Sequence, residues 1–252
     1  MKKYLGQHFL HDKNIAKKIA TSLLLINKVY NNLLEIGPGN GSLTQFLYPE
    51  FAGQLWLLEI DHELIIPLNN RFPELKNRII NEDFLKFDLQ GFFEHQTGII
   101  GNFPYNISSQ IIVKIIENKH LIPEATGMFQ REVAERICAK PKTKNYGRIS
   151  ILSQTFYDTE IIFYVPKTVF YPQPKVESAV VRLIRKENQP TINDEKHYFS
   201  LVKAAFQQRR KTLKNALSSA GFDCTKILSD FLSKRAEELE FTDFITISNR
   251  LT

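Results

Sequence analysis

The sequence predicts an α/β fold, a parallel sheet with helices on both faces, followed by a small all-helical C-terminal domain. Two observations lead there. Short apolar strands alternate with helix-patterned stretches from residue 33 to about residue 130, as βαβ units require, and from His197 onward the pattern is helical only. The composition sets the scale, since 252 residues at 43% hydrophobic and 24% charged suffice for one large or two modest globular domains.

In chain order, Asp12 is a good N-cap, and Ile15, Ala16, Ile19, Ala20, Leu23 and Leu24 recur at helical spacing behind it. Strands are expected at Leu33 to Ile36, Leu55 to Ile60, Arg78 to Asn81, Gly98 to Gly101 and Gly127 to Gln130. Helix-like stretches separate them at Leu43 to Tyr48, His62 to Arg71 and Ser108 to Glu117. Thr159 to Val165 and Val176 to Ile184, rich in β-branched and aromatic residues, are expected to finish the sheet as an antiparallel pair. At Lys186-Glu187-Asn188-Gln189-Pro190 the composition turns polar, which divides the chain into domains 1–185 and 186–252.

Lys and Arg number 33 against 27 Asp and Glu, a net charge of +6 that favours an anionic partner such as nucleic acid. Cys138 and Cys224 stand alone, without Cys-x-x-Cys or a His-rich neighbourhood, which excludes a disulfide framework or a zinc site of the usual spacing. No apolar run approaches the roughly 18 residues of a membrane span. The first residues fit neither a signal peptide nor a transit peptide, so a cytoplasmic location is expected.

The strongest motif is Leu33-Leu34-Glu35-Ile36-Gly37-Pro38-Gly39-Asn40-Gly41, a strand entering a glycine-rich turn that opens a helix. Ser42 stands where a dinucleotide fold needs its third glycine, which favours a nucleoside without pyrophosphate over NAD. The next strand ends in Glu59, about 20 residues on, where a carboxylate accepts from both ribose hydroxyls; Asp61 has a ready role as N-cap of the following helix. Asp83 can accept from an adenine amino group while Phe84 packs on the ring. Gly101-Asn102-Phe103-Pro104-Tyr105-Asn106 follows the fourth strand at the sheet edge where ligands bind. An exocyclic adenine amine is a poor nucleophile because its lone pair is delocalised. The Asn102 carboxamide oxygen and a backbone carbonyl near Pro104 can hold both amine hydrogens and favour a pyramidal nitrogen, with Tyr105 stacking on the base.

These residues resemble the ribosomal RNA adenine N6,N6-dimethyltransferase family, the kasugamycin-sensitivity enzymes of bacterial small-subunit assembly. The resemblance spans nearly the whole chain. It includes Gly6-Gln7-His8-Phe9-Leu10, Tyr146-Gly147-Arg148, Phe170-Tyr171-Pro172-Gln173-Pro174 through Val180, and Ala205-Phe206-Gln207-Gln208-Arg209-Arg210-Lys211-Thr212. It implies a Rossmann-like class I methyltransferase sheet, with S-adenosylmethionine held by His8, Leu10, Gly37, Glu59, Asp83 and Asn102. Asn102 and Pro104 would bind the target amine, with Tyr105 and Phe170 sandwiching the flipped adenine. His8 departs from the family's usual Asn, and Phe103 replaces an aliphatic residue, a change expected to affect packing only.

The implied reaction is transfer of methyls to N6 of two adjacent adenosines near the 3′ end of 16S rRNA. It would proceed by in-line displacement at the sulfonium, by a monomer without metal. Two alternatives share the motifs: a large-subunit (23S) methylase of the macrolide-resistance type, and a non-catalytic assembly or transcription factor. Arg131, Arg136, Lys140, Lys142, Lys144 and Arg148 form one basic cluster. Lys203, Arg209, Arg210, Lys211 and Lys214 form another, expected on a C-terminal helix and suited to phosphate contacts.

Overall fold

The computed structural model describes residues 8–252, so Gly6 and Gln7 lie outside the described residues. The chain starts with strand β1 (Phe9–Leu10) and helix α1 (Lys13–Ala20), whose first free N–H groups, those of Asn14 and Ile15, are capped by the Asp12 carboxylate. The apolar pattern carries this helix through Leu24, but the chain leaves it at Thr21. The reason is distant in sequence. The buried Glu124 carboxylate takes the Leu24 and Leu25 N–H groups at 2.8 and 2.9 Å and the Tyr30 hydroxyl at 2.8 Å, bonds that compete with the helical ones.

Strand and helix then alternate through β2 (Asn32–Ile36), α2 (Thr44–Phe51), β3 (Leu55–Leu58), α3 (His62–Arg71), β4 (Ile79–Ile80), α4 (Leu89–Phe92), β5 (Thr97–Asn102), α5 (Ser108–Glu117) and β6 (Glu124–Gln130). Next come α6 (Arg131–Ile137), α7 (Arg148–Phe156), β7 (Tyr157–Val165), β8 (Phe170–Tyr171) and β9 (Ser178–Arg185). The remainder is helical: α8 (Glu195–Gln207), α9 (Leu213–Ser219), α10 (Ser229–Leu232) and α11 (Phe241–Leu251).

The seven-stranded sheet has the order β4-β3-β2-β5-β6-β9-β7. Its first five strands pair in parallel, and β9 pairs antiparallel with β6 from Glu124↔Ile184 to Gln130↔Ser178. The order reverses at β2, which lies between β3 and β5, and the crevice at the carboxyl ends of strands at such a switch point is where ligands bind. Leu33, Leu55, Leu57 and Ile100 of the sheet are fully buried with Ile19, Leu47 and Leu68 of the covering helices. A two-stranded ribbon that local patterns did not announce joins β1 to β8, pairing Phe9 with Tyr171 and Leu10 with Phe170.

The chain forms two compact units, one of residues up to 134 with 160–185, the other of 135–159 with 186–252. The crossing after Arg185 coincides with the boundary drawn from composition. Residues 135–159, assigned from sequence to the first domain, cluster instead with the C-terminal helices. Within that unit the Thr155 and Tyr198 hydroxyls lie 2.7 Å apart, the Tyr146 hydroxyl donates 2.9 Å to the Leu239 carbonyl, and the Phe156 ring stacks on Phe199. Neither Cys138 nor Cys224 is in a disulfide, and among the described residues no helix is long and apolar enough to cross a membrane.

Candidate functional site

At the carboxyl ends of β2, β3 and β5 lies an open, concave cleft of the kind that takes small molecules. The turn after β2 forms its floor. Gly37, Gly39 and Gly41 all have positive φ, at 66°, 59° and 79°, a backbone only glycine adopts without strain. A Cβ on Gly39 would also lie 3.0 Å from the Phe9 ring. From outside the cleft, Arg71 braces the turn by donating 2.5 Å to the Asn40 carbonyl and 3.1 Å to Gln45.

Glu59, at the end of β3, is buried. Its Oε2 accepts the Gly39 N–H at 3.0 Å and its Oε1 the Asp61 N–H at 2.9 Å, so this one carboxylate ties the glycine turn to the next strand. Each oxygen keeps a lone pair for a further donor. Burial raises the Glu59 pKa, and those two N–H bonds oppose the rise. Asp61 caps α3 by accepting the Glu63 N–H, the role its position predicted. Asp83 is half-buried, with Oδ1 on the Leu85 N–H, and Phe84 behind it is buried.

The segment after β5 is held at several points. The Asn102 Nδ2 donates 2.9 Å to the His8 carbonyl, which leaves Oδ1 as the acceptor end of the amide. The Pro104 carbonyl accepts from the Ser108 hydroxyl at 3.0 Å and the Ile107 N–H at 3.3 Å, whereas no hydrogen bond between described residues reaches the carbonyl of Phe103. The Tyr105 hydroxyl lies 2.6 Å from the Ser178 hydroxyl, and its ring faces the His8 imidazole at 5.2 Å and 30°. His8 itself is held by Nδ1 at 2.7 Å from the Pro172 carbonyl. Phe103 is buried against Phe129, in room left by the glycines paired across β5 and β6, Gly101 and Gly127.

His8, Leu10, Gly37, Glu59, Asp83, Asn102, Pro104 and Tyr105 therefore line one cleft. Phe170 does not line it. Its backbone pairs with Leu10, and its side chain is 3% exposed within the core cluster that includes Val165 and Val180. Ser178 escaped the sequence reading, because a hydroxyl 73 residues from its partner has no local pattern. Sequence did place Glu35 at a strand end, but not its state. Its carboxyl lines the cleft 1% exposed and accepts from the Thr44 hydroxyl at 2.7 Å. Burial pushes it up to about 8, with Thr44 pulling down and the nearby Glu59 charge adding to the rise.

The Glu35 shift predicts a pH dependence. An unfolded glutamate gives up its proton above roughly pH 4.3, while the native one keeps it until about pH 8, so stability present below that window drains away across it. Glu35→Gln is expected to flatten this decline. Thermal melts of both proteins without ligand at pH 5 and pH 8 should show the larger loss in the unsubstituted chain, and parallel curves would remove Glu35 from the titration.

The lining contains four acidic side chains, Glu35, Glu59, Glu82 and Asp83, and among the described residues no Lys or Arg. With Glu35 holding its proton up to about pH 8, the other three repel a pyrophosphate and suit a cationic nucleoside with a ribose diol, so the residues present fit S-adenosylmethionine and not a dinucleotide. Among the described residues, no group of three His, Cys, Asp or Glu is placed to hold a metal ion.

The family model "Ribosomal RNA adenine dimethylase" matches residues 1–252. Proteins named ribosomal RNA small subunit methyltransferase A are similar over their length. That of Flavobacterium johnsoniae is 48% identical, covering 99% of this chain and 95% of its own, and that of Cytophaga hutchinsonii is 47% identical, covering 100% and 97%. Among solved structures, a dimethyladenosine transferase from Plasmodium falciparum superposes with a TM-score of 0.76 at 28% identity, covering 95% of this chain and 96% of that one. The 23S rRNA methyltransferase ErmE shares the fold, with a TM-score of 0.69 at 24% identity over 96% and 99%.

Proposed function

The chain belongs to the ribosomal RNA adenine dimethylase family, and on that premise we propose that it methylates N6 of two adjacent adenosines near the 3′ end of 16S rRNA, in assembling small subunits in the cytoplasm. The observation that supports this best is the acidic nucleoside cleft continuous with the Asn102 to Tyr105 segment. Relatives at 47–48% identity named for the small subunit favour that substrate over the large-subunit alternative.

When bound, S-adenosylmethionine supplies an electrophilic methyl group and a neutral thioether leaving group. The chain's own residues do the rest. Glu59 accepts from the ribose hydroxyls through the lone pairs left over from Gly39 and Asp61, and Asp83 accepts from the cofactor's adenine amino group through Oδ2. On the RNA side, Asn102 Oδ1 accepts one hydrogen of the target amine. The second hydrogen was assigned by sequence to a backbone carbonyl near Pro104; that of Pro104 itself already has two donors, so we assign the hydrogen to the carbonyl of Phe103 and give Pro104 the task of fixing that carbonyl's direction. Two acceptors draw the N6 lone pair out of the ring and toward the methyl group. Tyr105, its tilt set by Ser178, offers the stacking face, and His8 occupies that face in the free protein. Phe170 supports the base pocket only from behind, through Leu10.

The deciding experiment incubates the protein and labelled S-adenosylmethionine with unmethylated small subunits, large subunits and naked RNAs, then maps the labelled base. Label on paired adenosines of the small subunit is expected. Label on the large subunit alone, or none, would refute the reading.

The second unit is proposed to dock the RNA. Arg209, Arg210 and Lys211 were expected on a helix, but α8 ends at Gln207 and they occupy the turn before α9. There Arg209 is committed, donating 2.7 Å to Glu237 and 2.6 Å to the Lys144 carbonyl. It thereby brings the exposed Lys142 and Lys144 loop beside the exposed Arg210 and Lys211. Replacing Arg210 and Lys211 with Gln is expected to shrink the log-log salt slope of small-subunit binding by roughly 0.7 to 0.9 for each phosphate no longer neutralised. Arg209→Gln is instead expected to cost about 1 kcal/mol of stability. A salt series and thermal melts separate the two, and an unaltered slope in the double variant would assign the turn to plain solvent.

A further inference from the structure

We propose that Lys114 is a positioning residue for recognition of the cofactor's adenine, acting through the loop that bears Asp83. Lys114 lies on α5, is not among the residues that line the cleft, and is half-buried. Its ammonium donates 2.5 Å to the Phe84 carbonyl and 2.6 Å to the Phe87 carbonyl, and stands 5.1 Å from the centre of the Phe84 ring. Those residues belong to a tight turn in which the Asp83 carbonyl accepts from the N–H groups of Lys86 and Phe87 while its carboxylate accepts from Leu85. The turn is thus tied within itself, and the ammonium pins it at two points. Burial lowers the Lys114 pKa, while the carboxylates of Asp83, Glu82 and Asp88 on the loop and Glu117 on α5 hold it up, so the charge sits among the groups it organises.

The same helix holds the other end of the site. Ser108, at the first turn of α5, donates to the Pro104 and Tyr105 carbonyls, six residues before Lys114. One rigid helix therefore sets the spacing between the adenine loop and the segment that receives the target amine. Removing Lys114 loosens the first and leaves the second in place. The expected signature is selective: weaker discrimination at the adenine amino group with little change in the chemical step.

The inference rests on the reading of Asp83 as acceptor of that amino group, and the test separates the two. Calorimetry compares S-adenosylhomocysteine with S-inosylhomocysteine, in which an oxo group replaces the amine. The unsubstituted protein is expected to prefer the adenosyl ligand by about tenfold or more, as loss of a hydrogen bond to a carboxylate implies. Asp83→Asn, which can donate to the oxo group, should abolish that preference. Lys114→Met should remove most of it, and turnover at saturating cofactor should stay within about threefold, a KM effect without a kcat effect. Lys114→Arg, which keeps the charge on a differently shaped head, should restore part of the preference.

An undiminished preference in Asp83→Asn would remove Asp83 from the adenine site and the proposal with it. A collapse in Asp83→Asn beside a full preference in Lys114→Met would overturn the role of Lys114 alone. If Lys114→Met does not fold, Lys114→Gln decides: shorter and uncharged, it cannot hold both carbonyls as the ammonium does, so a several-fold smaller preference supports the proposal and an unchanged one overturns it.

Discussion

Asn102→Ala is expected to slow methyl transfer by roughly 100-fold or more, the loss seen when one preorganised hydrogen-bonding group is removed from a reacting centre. The size follows from how the amide is held. With Nδ2 committed to the His8 carbonyl, Oδ1 has one direction available and needs no reorganisation when the amine arrives. Alanine removes the acceptor, and water in its place must be ordered anew for each turnover. Asn102→Asp is expected to fail as badly, since it would set a carboxylate oxygen against the His8 carbonyl. Single-turnover rates on unmethylated small subunits at saturating cofactor measure the effect, with small-subunit affinity expected to change far less. A near-normal rate would refute the role.

Glu59→Ala is expected to weaken S-adenosylmethionine binding by about 1.5 to 3 kcal/mol, or roughly 10- to 150-fold, the range for hydrogen bonds to a charged group. Two losses combine there: the ribose acceptor itself, and the anchor that holds the Gly39 and Asp61 N–H groups in the cleft wall. Glu59→Gln separates them. Its amide NH2 must face one of those two N–H groups, so the turn is disturbed even though one acceptor oxygen survives. Calorimetry on the folded variants should therefore rank the unsubstituted chain first and both variants well below it. Equal affinity in all three would take Glu59 out of the site.

The parts legible in the sequence are those fixed by local chemistry. The helices at His62 to Arg71 and Ser108 to Glu117 have the bounds their patterns gave, and Asp12 and Asp61 cap where expected. Glycines at fixed spacing and carboxylates at strand ends likewise indicated most of the cleft, because a turn and a strand end are short-range objects. What escaped depends on partners far along the chain. Leu24 leaves its helix for a carboxylate 100 residues away, and Phe170 is drawn into the core by pairing with Leu10. Arg209 reads as one more surface cation until Glu237 and the Lys144 carbonyl appear beside it. Periodicity carries no record of such pairings.

The division of the chain into units has a further meaning for its birth on the ribosome. Residues 135–159 emerge as a connector between β6 and β7, yet their partners are the last to be made. Tyr146 waits 93 residues for the carbonyl of Leu239, an interval of roughly 5 to 20 s at ordinary rates of synthesis. For 43 residues of that interval Thr155 also lacks Tyr198, and Phe156 lacks Phe199 for as long. The nascent protein thus passes through a stage with its sheet nearly complete and a sticky, half-built appendage. A gene cut after Arg185, where composition suggests a natural seam, would freeze the molecule at that stage and yield a chaperone client in place of a minimal catalytic core.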